Sequence, residues 1–390
     1  MTASSKASDW LEIGCIGGVA VLWSWFWYGA IDPVLFADKD LGKYRVMAEA
    51  APFLWRDAPA PFGFRLLGPW LAGIMPGSVE MGFSVLSHLL LGVVAMLWFR
   101  RLHMHGLTKI NAMMWTALLL FQPHLFGFIA FNPYQIADAF TFIWLLLGWE
   151  AIERRRTKWI IAILFLAALT RETGLLLIPF MLWQYRADAA SAFAKHLLSI
   201  APALLVWIFI RWWMTPANAT WSLLHAGNTY LQHALGWEAW FRLLLNALAP
   251  LSLLFMYWWR PFGAYFRQQS GYAIFLVFLF VSCFLGADKE RLWVPAFFVL
   301  GLPAAALLTA FWSLRTRWLL LTSALFVSWH PIVARFSVLG KWAHAFLTLS
   351  LTVLIVIWVW RKETQPSVSE IETTLKRYFA LDNHATSSLS

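Results

Sequence analysis

The chain has 390 residues, 61% hydrophobic and 13% charged, with a mean hydropathy of +0.64 and a formal net charge of +10. A soluble domain is nearer half apolar and a quarter charged, so the composition excludes an ordinary soluble fold and predicts an all-α, polytopic membrane protein. The positive excess reads as orientation and contact with anionic lipid; no arginine-aromatic segment or fold signature points to nucleic acid.

The first apolar span, 11–31, runs longer than a signal-peptide core. It carries Trp23, Trp25, Phe26, Trp27 and Tyr28 where small cleavage-site residues would stand, so it is expected to be retained. Further spans of the length needed to cross the hydrocarbon are predicted at 80–99, 109–128, 134–152, 196–214, 241–259, 272–287, 293–313, 318–334 and 342–360. The stretch 158–184 is apolar with Thr170-Arg171-Glu172 in its middle and basic residues at both flanks (Arg154, Arg155, Arg156, Lys158 and Arg186). A hairpin of two short helices with Arg171 and Glu172 near its tip explains both facts; one buried helix with an internal ion pair is the alternative. With the hairpin, about twelve crossings are expected, both termini cytoplasmic. The segment 66–76, broken by Pro69 and Pro76, is too short to cross and is placed as an interfacial or re-entrant helix.

Domain organisation follows: a helical bundle over 1–360, an outer loop over 32–65, and a polar tail over 361–390. Ile371, Leu375, Tyr378 and Phe379 in the tail suggest a short amphipathic helix on the inner leaflet. In this topology 18 of the 30 Lys and Arg residues are cytoplasmic, as the positive-inside rule favours. The 12 outer cations are more than topology requires and fit an anionic ligand at that face. Cys15 and Cys283 lie inside apolar spans and read as packed thiols, giving neither a disulfide framework nor a metal site. The 27 Trp and 32 Phe exceed what interfacial belts need, and the surplus suits ring packing, a groove for a lipid tail, or stacking on sugar faces.

The outer loop concentrates the residues that could carry chemistry. Asp40 and Tyr44 are four apart, so a helix over 40–55 would present them side by side, with Ala48 on the same face. A carboxylate there could take a proton from an acceptor hydroxyl; Asp38 or Asp40 could equally cap that helix. Asp32, directly after the first span, either caps a turn or acts as a base at the bilayer edge. Arg65 opens an apolar helix and either snorkels to lipid phosphate or binds the phosphate of a specific lipid. Arg171, Lys289 and Arg291 make the same offer from other outer turns. Asp138, a turn inside its span, would orient an arginine or line the cavity, with Tyr44 and Glu172 as further lining residues. No His, Cys or acid spacing assigns a zinc site. A divalent cation at Asp32, Asp38 and Asp40 is allowed by residue type but disfavoured by the cations crowding the loop. No cofactor is expected.

Four short motifs carry a resemblance: the first-loop acid and tyrosine (Asp40, Tyr44), Phe64-Arg65-Leu66-Leu67-Gly68-Pro69, the turn Thr170-Arg171-Glu172, and Asp288-Lys289-Glu290-Arg291 before an apolar span with Pro295. Together they resemble multi-spanning glycosyltransferases of the GT-C superfamily, nearest to bacterial family-87-like members. The resemblance implies an inverting transferase, metal-independent or metal-assisted, in a bacterial inner membrane. It would take a sugar from a polyprenyl-phosphate donor at the outer face and pass it to a glycan, lipid or protein acceptor. It also implies Asp40 as base, Asp38 or Asp32 as its neighbour, and Arg65, Arg171 and Arg291 at the donor phosphate. The competing readings are a polysaccharide polymerase or ligase using pyrophosphate-linked glycans, a transporter or flippase for a lipid-linked substrate, and a membrane scaffold.

Overall fold

The computed structural model describes residues 3–28, 40–55, 58, 62–214, 258–283, 289–334, 350, 353–354, 357–358, 361 and 366–379. Every regular element among them is helical, with no strand among the described residues. Among the described residues, four helical segments are long and apolar enough to cross a membrane: Trp10–Trp27, Val79–Met104, Pro133–Glu153 and Ala190–Met214. A fifth is present if Lys109–Leu120 and Leu125–Phe131 form one span, bent by 56°. The expected spans 241–259 and 342–360 fall wholly or largely outside the described residues. The expected span 109–128 is not one straight helix, because Pro123 lacks an N–H and its ring clashes with the preceding turn. A π-helical turn over Pro123–Gly127 stands there instead.

The chain divides into two compact units. One comprises Gly17–Leu97 and Phe128–Leu231. It contains α2 (Asp40–Glu49), α3 (Leu67–Ile74), α6 (Phe128–Phe131), α7 (Ile136–Glu153), α8 (Thr157–Thr170), α9 (Leu177–Gln184) and α10 (Ala190–Met214), with parts of α1 (Ala3–Trp27) and α4 (Val79–Met104). The helix predicted over 40–55 ends at Glu49, and Ala50–Phe53 continue as turns. Helix α8 packs against both α7 and α10. Two glycines let short helices approach: a Cβ on Gly73 would stand 2.0 Å from the Ala48 carbonyl oxygen, and one on Gly82 2.2 Å from that of Ala72. Contacts that close forbid any side chain, so α2, α3 and the start of α4 are stacked backbone against backbone.

The segment 158–184 folds as the hairpin its flanking charges suggested. The Tyr185 hydroxyl donates to the Ile152 carbonyl at 2.7 Å, and Arg155 holds Asp188 with two hydrogen bonds of 2.7 and 3.0 Å. The end of α9 therefore returns to the start of α8. Arg155 itself sits at φ +52°, in the left-handed region that costs an L-residue about 1–2 kcal/mol. Its Asp188 pair and the Tyr185 ring, 5.0 Å from the guanidinium, hold it there.

The second unit comprises Met1–Ile16, Trp98–Gly127 and Gln232–Ser390. It contains α5 (Lys109–Leu120), α11 (Trp259–Gln268), α12 (Ser270–Cys283), α13 (Lys289–Trp293), α14 (Ala296–Phe311), α15 (Leu314–Ala334) and α16 (Val368–Phe379). Helix α14 is buried nearly all round, and Trp98 packs on its Phe297 and Phe298. The amphipathic tail helix forms as α16, capped reciprocally by Ser367 and Glu370. Its apolar face is covered by protein. Ile371, Leu375 and Phe379 are buried, α16 packs on α11 and α14, and Phe379 meets Tyr265 and His105. An amphipathic stripe needs only an apolar partner, and here protein supplies it.

Candidate functional site

Five of the residues singled out from the sequence converge within the first of these units. Helix α2 begins at Asp40 and buries Leu41, Tyr44, Met47 and Ala48, the face its spacing predicts. The Tyr44 and Phe62 rings meet edge to face, with centroids 5.4 Å apart. Phe62 opens a 3₁₀ turn, Phe62–Phe64, that closes when the Arg65 N–H bonds the Phe62 carbonyl at 2.9 Å. Gly63 is required inside that turn, since a Cβ there would stand 2.7 Å from the Ala58 carbonyl oxygen. The turn thus aims Arg65, whose Nη1 donates to the Tyr44 hydroxyl at 2.9 Å. The Lys43 ammonium stands 4.5 Å from the Phe62 ring centroid, beside the same turn.

The hairpin tip brings the remaining groups. Thr170 ends α8 with its hydroxyl turned back onto the Leu166 and Ala167 carbonyls, which competes with helix propagation. Arg171 is then extended, and Glu172 starts a 3₁₀ turn, so these neighbours project to different partners. Arg171 makes a buried ion pair with Asp138, in the first turn of α7; both side chains are at most 5% exposed. A carboxylate there also meets the positive end of the helix dipole. Glu172 accepts from Arg211 Nη2 at 2.6 Å. The internal ion pair considered for 158–184 is thus replaced by two pairs to other helices.

Arg211, in the last turn of α10, is a candidate site residue that the sequence reading left among the general outer cations. Its guanidinium lies 3.8 Å from the Trp207 ring centroid and 4.6 Å from that of Phe64. The sequence signal was a cation held between tryptophans at the end of a long apolar run, Trp207 to Trp213. Arg65, Arg211 and Arg171, in that order, all exert attraction on the Glu172 carboxylate. Arg65, Arg171 and Arg211 thus gather near Glu172, and Arg171 pairs with Asp138, which makes three guanidinium groups to two carboxylates among the described side chains. An excess of oriented guanidinium groups at one place is what an anionic ligand needs.

Asp32 and Asp38 lie outside the described residues, as does the side chain of Asp40, although the Asp40 backbone begins α2. Lys289 and Arg291 belong to the other unit, on α13, where Arg291 is half-buried. No group of three or more His, Cys, Asp or Glu suited to a metal occurs among the described residues. A second ionic cluster lies on the far side of α2, where Arg45 bridges Glu49 at 2.8 Å and Glu80 at 3.2 Å on the exposed surface.

No protein-family model, curated protein or solved structure matches the chain.

Proposed function

We propose that the chain is a polytopic membrane glycosyltransferase of the GT-C type, seated in a bacterial inner membrane with both termini in the cytoplasm. It moves a sugar from a polyprenyl-phosphate donor to a glycan, lipid or protein acceptor at the outer face. The observation that supports this most is the Tyr44–Arg65 hydrogen bond. It ties the cationic cluster to the helix that Asp40 opens, and residues four apart on a helix stand about 5–6 Å apart at Cβ. The residue proposed as base is thus one helical turn before the tyrosine that Arg65 bonds.

The chemistry follows from those positions. The acceptor hydroxyl oxygen attacks the anomeric carbon as the bond from that carbon to the donor phosphate oxygen breaks. The leaving phosphate keeps the electron pair, and its charge is met by Arg65, Arg171 and Arg211, an interaction that strengthens as the bond breaks. The hydroxyl proton passes to the Asp40 carboxylate, with Asp38 or Asp32 as its neighbour. Attack opposite the leaving group inverts the anomeric centre. Asp138 holds Arg171 and Glu172 holds Arg211, so these two acids position cations.

The test compares membranes of cells lacking the chain with cells carrying the wild type or the Asp40→Asn variant, read by mass spectrometry of their lipid-linked and envelope glycans. We expect one glycan product to vanish with the chain, return with the wild type, and stay at least a hundredfold down with Asp40→Asn at equal expression, the low end for a lost general base. A full product level in Asp40→Asn overturns the base assignment. It would favour instead a polymerase or ligase acting on pyrophosphate-linked glycans, or a flippase.

A further inference from the structure

A basic surface is built in the unit that contains α11 and α16, and it rests on none of the transferase chemistry. Three helices end together there. Helix α4 stops in a turn in which the Gly106 N–H bonds the His103 carbonyl at 3.0 Å and the Leu107 N–H bonds the Leu102 carbonyl at 3.3 Å. Gly106 takes φ +85°, the left-handed conformation that this kind of helix stop requires. Phe379, the last residue of α16, packs on His105 just before that glycine and on Tyr265 near the end of α11. Tyr265 stacks in turn on Tyr272, whose hydroxyl accepts from the buried Arg101 guanidinium. The junction is thus a closed aromatic core, and the side chains it leaves outside are charged.

That charge has one sign. Arg267, in the last turn of α11, and Lys376 and Arg377, in the last turn of α16, are all exposed. Arg260, also exposed, stands seven residues before Arg267 and so on the same face of α11. Its guanidinium lies 5.3 Å from the ring of Trp259, itself 66% exposed. No acidic residue occurs in the last seven residues of α4, α11 or α16. Glu370 belongs to the opposite end of α16, where it accepts from Ser367. The dipoles of α11 and α16 present only about half a negative charge each at these ends, less than three cations supply. Helix α4 fixes the depth of the surface. Its 26 residues make about 39 Å of apolar helix against about 30 Å of hydrocarbon, so its basic end reaches the headgroup layer when it spans. The apolar faces of α11 and α16 are covered by protein, so what these two helices offer a bilayer is charge.

We infer that Arg267, Lys376 and Arg377 form a docking surface for anionic phospholipid headgroups, which Arg260 and Trp259 extend along α11. Phosphate oxygens accept from the guanidinium and ammonium groups in charge-assisted bonds, shorter and stronger than neutral ones. An exposed tryptophan favours the layer where acyl chains meet water, which a soluble anion does not provide. Each basic side chain beside an anionic leaflet contributes roughly fivefold in binding, so the loss of three is readily seen.

The test uses the purified full-length chain in detergent, equilibrated with equimolar phosphatidylglycerol and phosphatidylcholine and read by native mass spectrometry. Wild type should retain phosphatidylglycerol several-fold over phosphatidylcholine, and added salt should narrow that margin. The triple variant Arg267→Gln, Lys376→Gln and Arg377→Gln should bring the ratio to about one. A matched variant at exposed cations of the other unit, Arg156→Gln, Lys158→Gln and Lys195→Gln, should keep it. All six side chains are exposed, so neither variant disturbs a core. An undiminished preference in the first triple overturns the docking surface. An equal loss in the second shows an effect of net charge alone and overturns it as well. Displacement of the lipid by inorganic phosphate would show a free-anion site and overturn the lipid assignment.

Discussion

The Arg171–Asp138 pair allows a quantitative test, because its two halves respond differently to losing their partner. Asp138→Ala leaves a guanidinium buried at the tip of the hairpin. Breaking a buried pair in this way costs about 3–5 kcal/mol, and a guanidinium does not escape by losing its proton. Arg171→Ala leaves a carboxylate, which sheds its charge by taking up a proton. For a group that ordinarily titrates near 3.9, this costs about 1.4 kcal/mol for each pH unit above that value, or about 4 kcal/mol at pH 7. The Arg171→Ala deficit should therefore shrink by about 1.4 kcal/mol per pH unit between pH 7 and 5, while the Asp138→Ala deficit stays flat. The native state of Arg171→Ala binds the extra proton, so acid favours folding, which sets the sign. The double change Asp138→Leu with Arg171→Met should cost much less than the two single changes together. Equilibrium unfolding in mixed micelles, followed by tryptophan fluorescence, measures all three. Parallel pH profiles for the single variants, or additive losses in the double, would refute the buried-pair reasoning.

Other predictions rest on separate parts of the fold. Gly82→Ala should destabilise by about 1–3 kcal/mol in the same unfolding assay, because its methyl would meet the Ala72 carbonyl at 2.2 Å and backbone must move. The Arg155 hydrogen bonds hold the Asp188 carboxyl below its ordinary range. Its contribution to stability is present above the unfolded value near 3.9 and is lost as pH falls through the folded one. Asp188→Asn should accordingly flatten the acid limb of the stability profile below about pH 4 while costing stability at neutral pH.

Much of the first unit was legible in the sequence because membrane crossing leaves a long signal. Basic residues at both flanks of 158–184 required a return, and the hairpin makes one. The cost of an intramembrane carboxylate made Asp138 a seeker of arginine, and it found Arg171. Tyr44 and Arg65 were each singled out, but their 21-residue separation carries no local periodicity, so their bond was not foreseen. Arg211 escaped notice for the opposite reason: a cation near the end of an apolar run looks like any span-terminating residue until Glu172 and Phe64 are placed beside it. The bend after Leu120 was signalled by Pro123 but hidden by unbroken apolarity on either side. The docking of α16 could not be read locally, since the same stripe serves lipid and protein alike.

That docked helix also sets a timing problem during synthesis. The apolar faces of α11 and α14 leave the ribosome well before the partner that covers them, and about 70 residues separate Phe311 from Phe379. At roughly 5–20 residues per second, several seconds elapse in which a strip meant for Ile371, Leu375 and Phe379 stays bare. Something else must shelter it meanwhile, whether acyl chains or the insertion machinery, and α16 must then displace that guest. Late folding of this unit, and sensitivity to deletions after Phe311 that spare every crossing, follow from the order in which its pieces are made.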